Sequence, residues 1–322
     1  MAVKTKYELK LGLATREAFG KALVELGHQN HDVVVCDADL SKSTYTAGFA
    51  KEFPDRFIEC GIAEMNMVGI GAGLASGGKI PFVSSFSCFA INKGFEQLRV
   101  TAAFPNVNLK VVGTHSGISI GEDGPSQMSI EDLGLACSLP GFTVLCPADE
   151  VSMMALIHAT AAHFGPVFVR AGRAKTAIIY EAGQEFIIGK GIELLAGTDV
   201  TLIATGLLVA EAIRAAETLE AEGISTRVVD LHTIKPLDRD IIARAALETR
   251  AIVVCEEHLL DAGLGVRVAQ VVSETTPCAM EFVGIRNTYA ESGTPDELLD
   301  KYGLRAKDVA QAARKALARK KN

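Results

Sequence analysis

Several polar residues stand where short apolar runs give way to loops, and their types invite chemistry. Glu64 lies in Glu59-Cys-Gly-Ile-Ala-Glu64-Met-Asn66, at the head of a stretch of helical period containing Gly69, Gly71 and Gly73. An acid at a helix N-terminus can simply complement the dipole. Here, however, the surroundings are almost wholly apolar, and a carboxylate buried there without a partner would be costly. Glu64 is therefore a functional candidate. Each glycine costs a helix about 1 kcal/mol, so three point to close backbone approach. Ser84-Ser-Phe86-Ser-Cys-Phe89 places two phenylalanines three apart, on one helical face, where core packing is the default reading. Asp37-Ala-Asp39-Leu-Ser-Lys-Ser43 reads as a turn and helix cap.

Thr114-His115 leads into Gly117-Ile-Ser-Ile-Gly121-Glu122-Asp123-Gly124-Pro125-Ser126-Gln127. This Gly- and acid-rich loop is expected to lie outside the core, where such loops host binding groups. Arg170 and Arg173 flank Gly172, and Arg16 follows Thr15. One arginine alone would be a surface ion pair, but three near strand ends or helix starts suit a phosphate, which a guanidinium binds bidentately.

Positioning these residues requires a sheet. Strands are expected over 32–38, 57–61, 80–84, 109–114, 143–146 and 167–170, with helices over 15–26, 64–76, 90–103, 128–138 and 152–163 between them. Fully apolar strands separated by helices imply a parallel sheet covered on both faces. In such sheets ligands sit beyond the carboxyl ends of the strands. A seam near residue 190 precedes a second alternation of strand and helix that opens at Asp199 and ends in a helical tail over 295–319. The fold class is α/β, with two domains, 1–188 and 189–322, each a mostly parallel sheet flanked by helices.

The chain has 322 residues, nearly half of them hydrophobic, and a formal charge of -7. That length suits two domains, and the charge argues against a nucleic-acid surface. The terminal cluster of Arg314, Arg319, Lys320 and Lys321 reads as a helix end whose dipole favours cations. The N-terminal stretch has no apolar segment of a secretory signal, and no apolar run is long enough for a bilayer. Seven scattered cysteines, without a CxxC pair, look like reduced thiols. Taken together, these features predict a cytoplasmic chain with no membrane and no nucleic-acid partner.

The segments ATREAF, CDADLSKS, CGIAEMN, SSFSCF, THSGISIGEDGPS and VRAGR, in this order, resemble the pyrimidine-binding domain of transketolases. The closing GIRNTYAESGTPDELLDKYGL resembles the transketolase C-terminal domain, so the likeness covers essentially the whole chain. It implies a thiamin-diphosphate enzyme that moves a two-carbon ketol unit from a ketose phosphate to an aldose phosphate. Matched residue by residue, Glu64 is the catalytic glutamate that hydrogen-bonds the cofactor's aminopyrimidine and favours its imino tautomer. Phe86 and Phe89 match the aromatic pair beside that ring, and Asp39 an acid near the cofactor. Ser43 matches a serine that contacts phosphate. His115, with a catalytic role, and Asp123 match residues at the donor's hydroxyls, while Arg16 and Arg173 match the arginines on its phosphate. Gln127 stands where the family usually has histidine beside the donor's carbonyl, and Asn92 where tyrosine is common.

The GDG…N motif that holds the diphosphate through a divalent cation is missing. The resemblance therefore assigns Mg2+, or another divalent cation, to a partner subunit carrying the pyrophosphate domain, with no metal ligand in this chain. The implied working unit is a heterotetramer. Two other enzymes share features of this pattern: the beta subunit of a 2-oxoacid dehydrogenase decarboxylating component, and half of a 1-deoxyxylulose-phosphate synthase. A catalytically silent regulatory subunit is the reading from a different functional class.

Overall fold

The computed structural model describes residues 9–320; the readings made on residues 1–8 and on Lys321 fall outside them. Seven strands form the first sheet in the order Thr233–Lys235, Thr143–Leu145, Val167–Arg170, Lys110–Thr114, Ile80–Phe86, Val33–Asp37 and Phe57–Glu59. All neighbours run parallel except the first pair. The central strands are buried and mostly apolar because helices cover both faces. Helix Thr15–Gln29, for example, turns Ala18, Phe19, Ala22, Leu23 and Leu26 inward at helical spacing.

The second sheet has five strands, ordered Ala279–Ile285, Ala251–Leu259, Val200–Ala204, Thr226–Asp230 and Ile192–Leu195, of which the last runs antiparallel. Three details depart from the sequence expectations. The helix expected over 128–138 begins only at Asp132. The stretch 90–103 is wound mainly into π-type turns, Cys88–Lys93 and Leu98–Ala103, joined by Phe95–Gln97. The tail splits into Pro295–Lys301 and Ala306–Arg319, and Gly303 lies between them at φ +70. Within the terminal basic cluster, Arg314 pairs with Glu222, Arg319 pairs with Glu281, and Lys320 donates to the Asp199 carbonyl.

The two halves are interlocked. Thr233–Lys235, from the second half, closes the edge of the first sheet. Strand ends of the second sheet then press on the first domain: Cys146 N–H donates to His232 O (2.8 Å), and Leu259 N–H to Ile130 O (2.8 Å). Charges are buried where the halves meet. Arg170 donates to the Asp132 carboxylate at 2.9 Å, to Ser129 O at 3.1 Å and to Glu257 O at 2.9 Å. Despite burial, Arg170 and His258 hold the Asp132 carboxyl below its usual range. Glu256 accepts from Leu264 N–H and Gly265 N–H at the start of helix Leu264–Glu274, a position where the helix dipole favours an anion. Arg170, one of three arginines expected at a phosphate, is thus committed to the domain seam: its side chain is 6% exposed and its donors face protein acceptors.

Lys110, fully buried on a central strand, reaches the His163 and Gly165 carbonyls at 2.6 and 2.8 Å, just past helix Glu150–Ala162. Burial pushes its ammonium down to about 7.

Two stability predictions follow from these buried charges. Replacing Arg170 by Met leaves Asp132 as an uncompensated buried carboxylate and should lower stability by about 3–5 kcal/mol. Urea unfolding checks this, and a loss below about 1 kcal/mol would refute the coupling. For Lys110, the unfolded chain binds the proton more tightly, so its contribution to stability rises with pH from about 7 towards the ordinary lysine range near 10.4. The stability difference between wild type and Lys110→Met should therefore shift in favour of wild type across that window. A difference independent of pH would contradict the buried-lysine account.

Candidate functional site

The polar residues singled out in the sequence cluster beyond the carboxyl ends of the first sheet. At the end of Val33–Asp37 the organising acid is Asp37 rather than Asp39. Fully buried, Asp37 accepts from Thr44 Oγ1 (2.7 Å), Thr46 Oγ1 (2.8 Å) and Leu40 N–H (2.7 Å), which winds the following loop. Asp39 is exposed, at φ 60, and its N–H donates to Glu59 Oε1 at 2.8 Å. The same Glu59 oxygen accepts from Gly61 N–H at 2.9 Å, which ties this loop to the one leading to Glu64.

Glu64 begins helix Glu64–Ser76 and is only 4% exposed. Of the three glycines, Gly71 alone packs closely within the chain, since a Cβ there would lie 2.5 Å from Val83 Cγ1; Gly69 and Gly73 face open space. The carboxylate has a partner that the sequence reading did not supply. Lys93 Nζ sits 3.2 and 3.3 Å from its two oxygens. Lys93 follows Phe89 by four residues, a spacing that puts both on one side of a helical turn, and Nζ lies 4.7 Å from the Phe89 ring centroid. That spacing signals the Phe89 contact, whereas the Glu64 pairing joins residues 29 positions apart and has no local signal.

Phe86 and Phe89 are near-parallel, with centroids 5.8 Å apart. The other side of Phe86 is taken by His115, stacked at 3.7 Å, so the half-buried Phe89 is the more accessible ring. His115 adopts φ 58 and is 2% exposed. Arg16 Nη1 lies 2.9 Å from its Nε2, and Thr114 Oγ1 lies 2.9 Å from its Nδ1. A guanidinium can only donate, so we assign Nε2 as acceptor and place the proton on Nδ1. Burial, then Arg16 and Arg173, push its pKa down to about 3, consistent with a neutral ring.

Arg16 and Arg173 come together through backbone geometry. Strands Leu11–Ala14 and Lys175–Ala177 pair as a ribbon, and Gly172 N–H donates to Thr15 Oγ1 at 2.7 Å. Burial and then Tyr45, Arg173 and acidic neighbours act on Arg16, with a net lowering of its pKa. Arg16 Nη1 also reaches the Ser43 carbonyl at 2.9 Å, while its Nε is buried without a hydrogen-bond partner among the described residues. Arg173 donates to Ile120 O and to Glu122 at 2.8 Å. Two guanidiniums meet beside a neutral imidazole, and guanidinium donors have the chemistry to receive an anion. Ser43 joins this corner through its backbone carbonyl.

The loop after His115 corrects one expectation. Ile118, Ser119 and Ile120 are completely buried, so the middle of the loop belongs to the core. Glu257 of the second half accepts from Ser119 N–H at 2.6 Å, and burial pushes its carboxyl up to about 7. Gly117, Gly121 and Gly124 all have φ near +80 and lie against the second half: added Cβ atoms would meet Glu257 at 2.2 Å, Pro295 at 3.0 Å and Ser292 at 2.5 Å. The C-terminal half therefore moulds the loop that presents exposed Asp123 and half-buried Gln127. Gln127 accepts from Ser126 Oγ at 2.7 Å, and Asn92 donates to Glu131 at 2.9 Å. Among the described residues there is no group of three or more His, Cys, Asp or Glu placed to hold a metal ion, and no helix long and apolar enough to cross a membrane.

Comparison with known proteins matches this arrangement. Residues 12–177 match the pyrimidine-binding domain of transketolase, and residues 189–309 its C-terminal domain. A solved split-gene transketolase, described as an inactive beta4 tetramer, superposes with a TM-score of 0.91 at 47% identity, covering 96% of this chain and 100% of that one. The 6-deoxy-6-sulfo-D-fructose transketolase subunit of Clostridium sp. is 38% identical over 95% of this chain and 95% of its own length. Human transketolase is 40% identical over 96% of this chain but only 50% of its own length. With both domains matched along nearly its whole length, this chain belongs to the transketolase family.

Proposed function

We propose that this chain is the pyrimidine-binding subunit of a thiamin-diphosphate-dependent ketol transferase. It acts on a ketose phosphate donor and an aldose phosphate acceptor once joined to a subunit carrying the pyrophosphate domain. The observation that carries this reading is the convergence of a buried carboxylate, an aromatic face and an anion-binding corner at the strand ends of one sheet. A basic heteroaromatic ring fits the first two: Glu64 would hold a proton at a ring nitrogen, and Phe89 would stack beneath the ring. When bound, the cofactor supplies a nucleophilic carbon for cleaving and re-forming the bond beside the donor carbonyl.

The remaining residues supply position rather than bond-making. His115 is neutral, with Nε2 accepting from Arg16 and its plane fixed against Phe86, so it orients the Arg16 guanidinium without adding charge. Arg16 and Arg173 hold the far anionic end of the sugar, while Asp123 and Gln127 face it from the Gly-rich loop. The named substrate of the Clostridium relative carries a sulfonate at its far end, which makes the identity of the anion a measurable question. Phosphate, a doubly charged ligand, matches two guanidiniums better than a singly charged sulfonate does. The inactive tetramer of the split-gene relative supports reading this subunit as inactive without its partner.

Glu64→Gln keeps shape but removes the exchangeable acid, so turnover of the reconstituted pair should fall roughly 100-fold or more. Steady-state assays of each chain alone and of the pair provide the control: neither chain alone should turn over, and near-normal turnover by the mutant pair would contradict the assignment.

Arg173→Ala should cost about 2–4 kcal/mol in kcat/KM on phosphorylated donors, with little effect on small uncharged ones. A donor panel of phosphorylated, sulfonated and neutral ketoses reads this directly. Equal losses across all three classes would make Arg173 a structural residue.

A further inference from the structure

Lys93 touches both surfaces that the aminopyrimidine ring needs. Its ammonium lies 3.2 and 3.3 Å from the two Glu64 oxygens and 4.7 Å from the centre of the Phe89 ring. Glu64 and Phe89 come from different elements, the helix Glu64–Ser76 and the π-type turn Cys88–Lys93, so a single group bridges them. Among the described residues, these two bonds from Lys93 are the side-chain hydrogen bonds recorded for the Glu64 carboxylate. We propose that Lys93 is a place-holding cation, which neutralises Glu64 while the pocket is unfilled and must withdraw when the cofactor ring binds.

The physical case has three parts. A carboxylate that is 4% exposed is strongly disfavoured without a counter-charge, so the unfilled subunit needs one. An ammonium gains from an aromatic face as well as from a carboxylate, and Lys93 takes both. Its side chain is 48% exposed, so its flexible four-carbon stem can swing into solvent at small cost. A ring nitrogen at Glu64 and a ring stacked on Phe89 would fill the same volume, so lysine and cofactor compete.

This inference rests on the cofactor reading above, and the experiment separates the two. Thiamin diphosphate is titrated calorimetrically into the assembled pair with Mg2+, for wild type, Lys93→Met, Lys93→Arg, Glu64→Gln and the double variant Lys93→Met with Glu64→Gln. Without the competing cation, Lys93→Met should bind the cofactor about tenfold more tightly, and Lys93→Arg should stay near wild type. In the Glu64→Gln background the gain should vanish, because the two residues act as a coupled pair. Affinity unchanged or weakened by Lys93→Met, or a gain that persists without the Glu64 carboxylate, overturns the place-holder. Failure of the wild-type pair to bind thiamin diphosphate at all would instead overturn the cofactor reading. The contact is also read without cofactor, from the Lys93 ammonium resonance in 15N-lysine-labelled chain. That signal should move on Glu64→Gln, and a signal that does not move refutes the ion pair itself.

Discussion

The Gly-rich side of the candidate site depends on the buried polar seam where the carboxyl ends of two sheets meet. Arg170, Asp132, Glu257 and His258 lie almost without solvent, and they come from both halves of the chain. Each would be strongly destabilised alone, because a buried charge needs a counter-charge and full hydrogen bonding. Arg170 pairs with Asp132 and also donates to Ser129 O and the Glu257 backbone carbonyl, the Glu257 side chain accepts from Ser119 N–H, and His258 Nε2 accepts from Gly134 N–H. In an open parallel sheet, the strand ends form the usual ligand crevice. In the second sheet that crevice is filled by the first domain, so its polar ends serve docking.

That docking shapes the Gly-rich loop. The segment has buried isoleucines at its centre, and three of its glycines, all at positive φ, lie against the second half. A side chain at Gly117 would collide with Glu257, so the loop can lie flat only as glycine. His115 and Asp123 stand at either end of the moulded stretch, and Arg173 holds Ile120 O from the side. The C-terminal half thereby sets the geometry of a site to which it gives no proposed catalytic group.

The cofactor side follows the opposite logic. Glu64 is buried, yet its partner is a half-exposed lysine on a mobile stem, and the nearby Gly69 and Gly73 face open space. The seam charges are paired deep in the protein, while the Glu64 carboxylate is paired with a half-exposed lysine. This asymmetry suits a half-site completed by another subunit.

Much of this was legible in the chain as written. Fully apolar strands at βα spacing determined a parallel sheet, because only burial on both faces tolerates them, and the motif residues Glu64, Phe89, His115, Arg16 and Arg173 lie beyond its strand ends as local pattern implied. Tertiary structure decided the rest. Arg170 looked like Arg173 in sequence, and only packing assigned it to Asp132 instead of to a ligand. Asp37 rather than Asp39 organises its loop, because strand register buries the former and leaves the latter at positive φ. Glu257 lies 138 positions from Ser119, so no local spacing could have joined them. Periodicity reports which face of an element is buried; it cannot report which charge from a distant element will be buried against it.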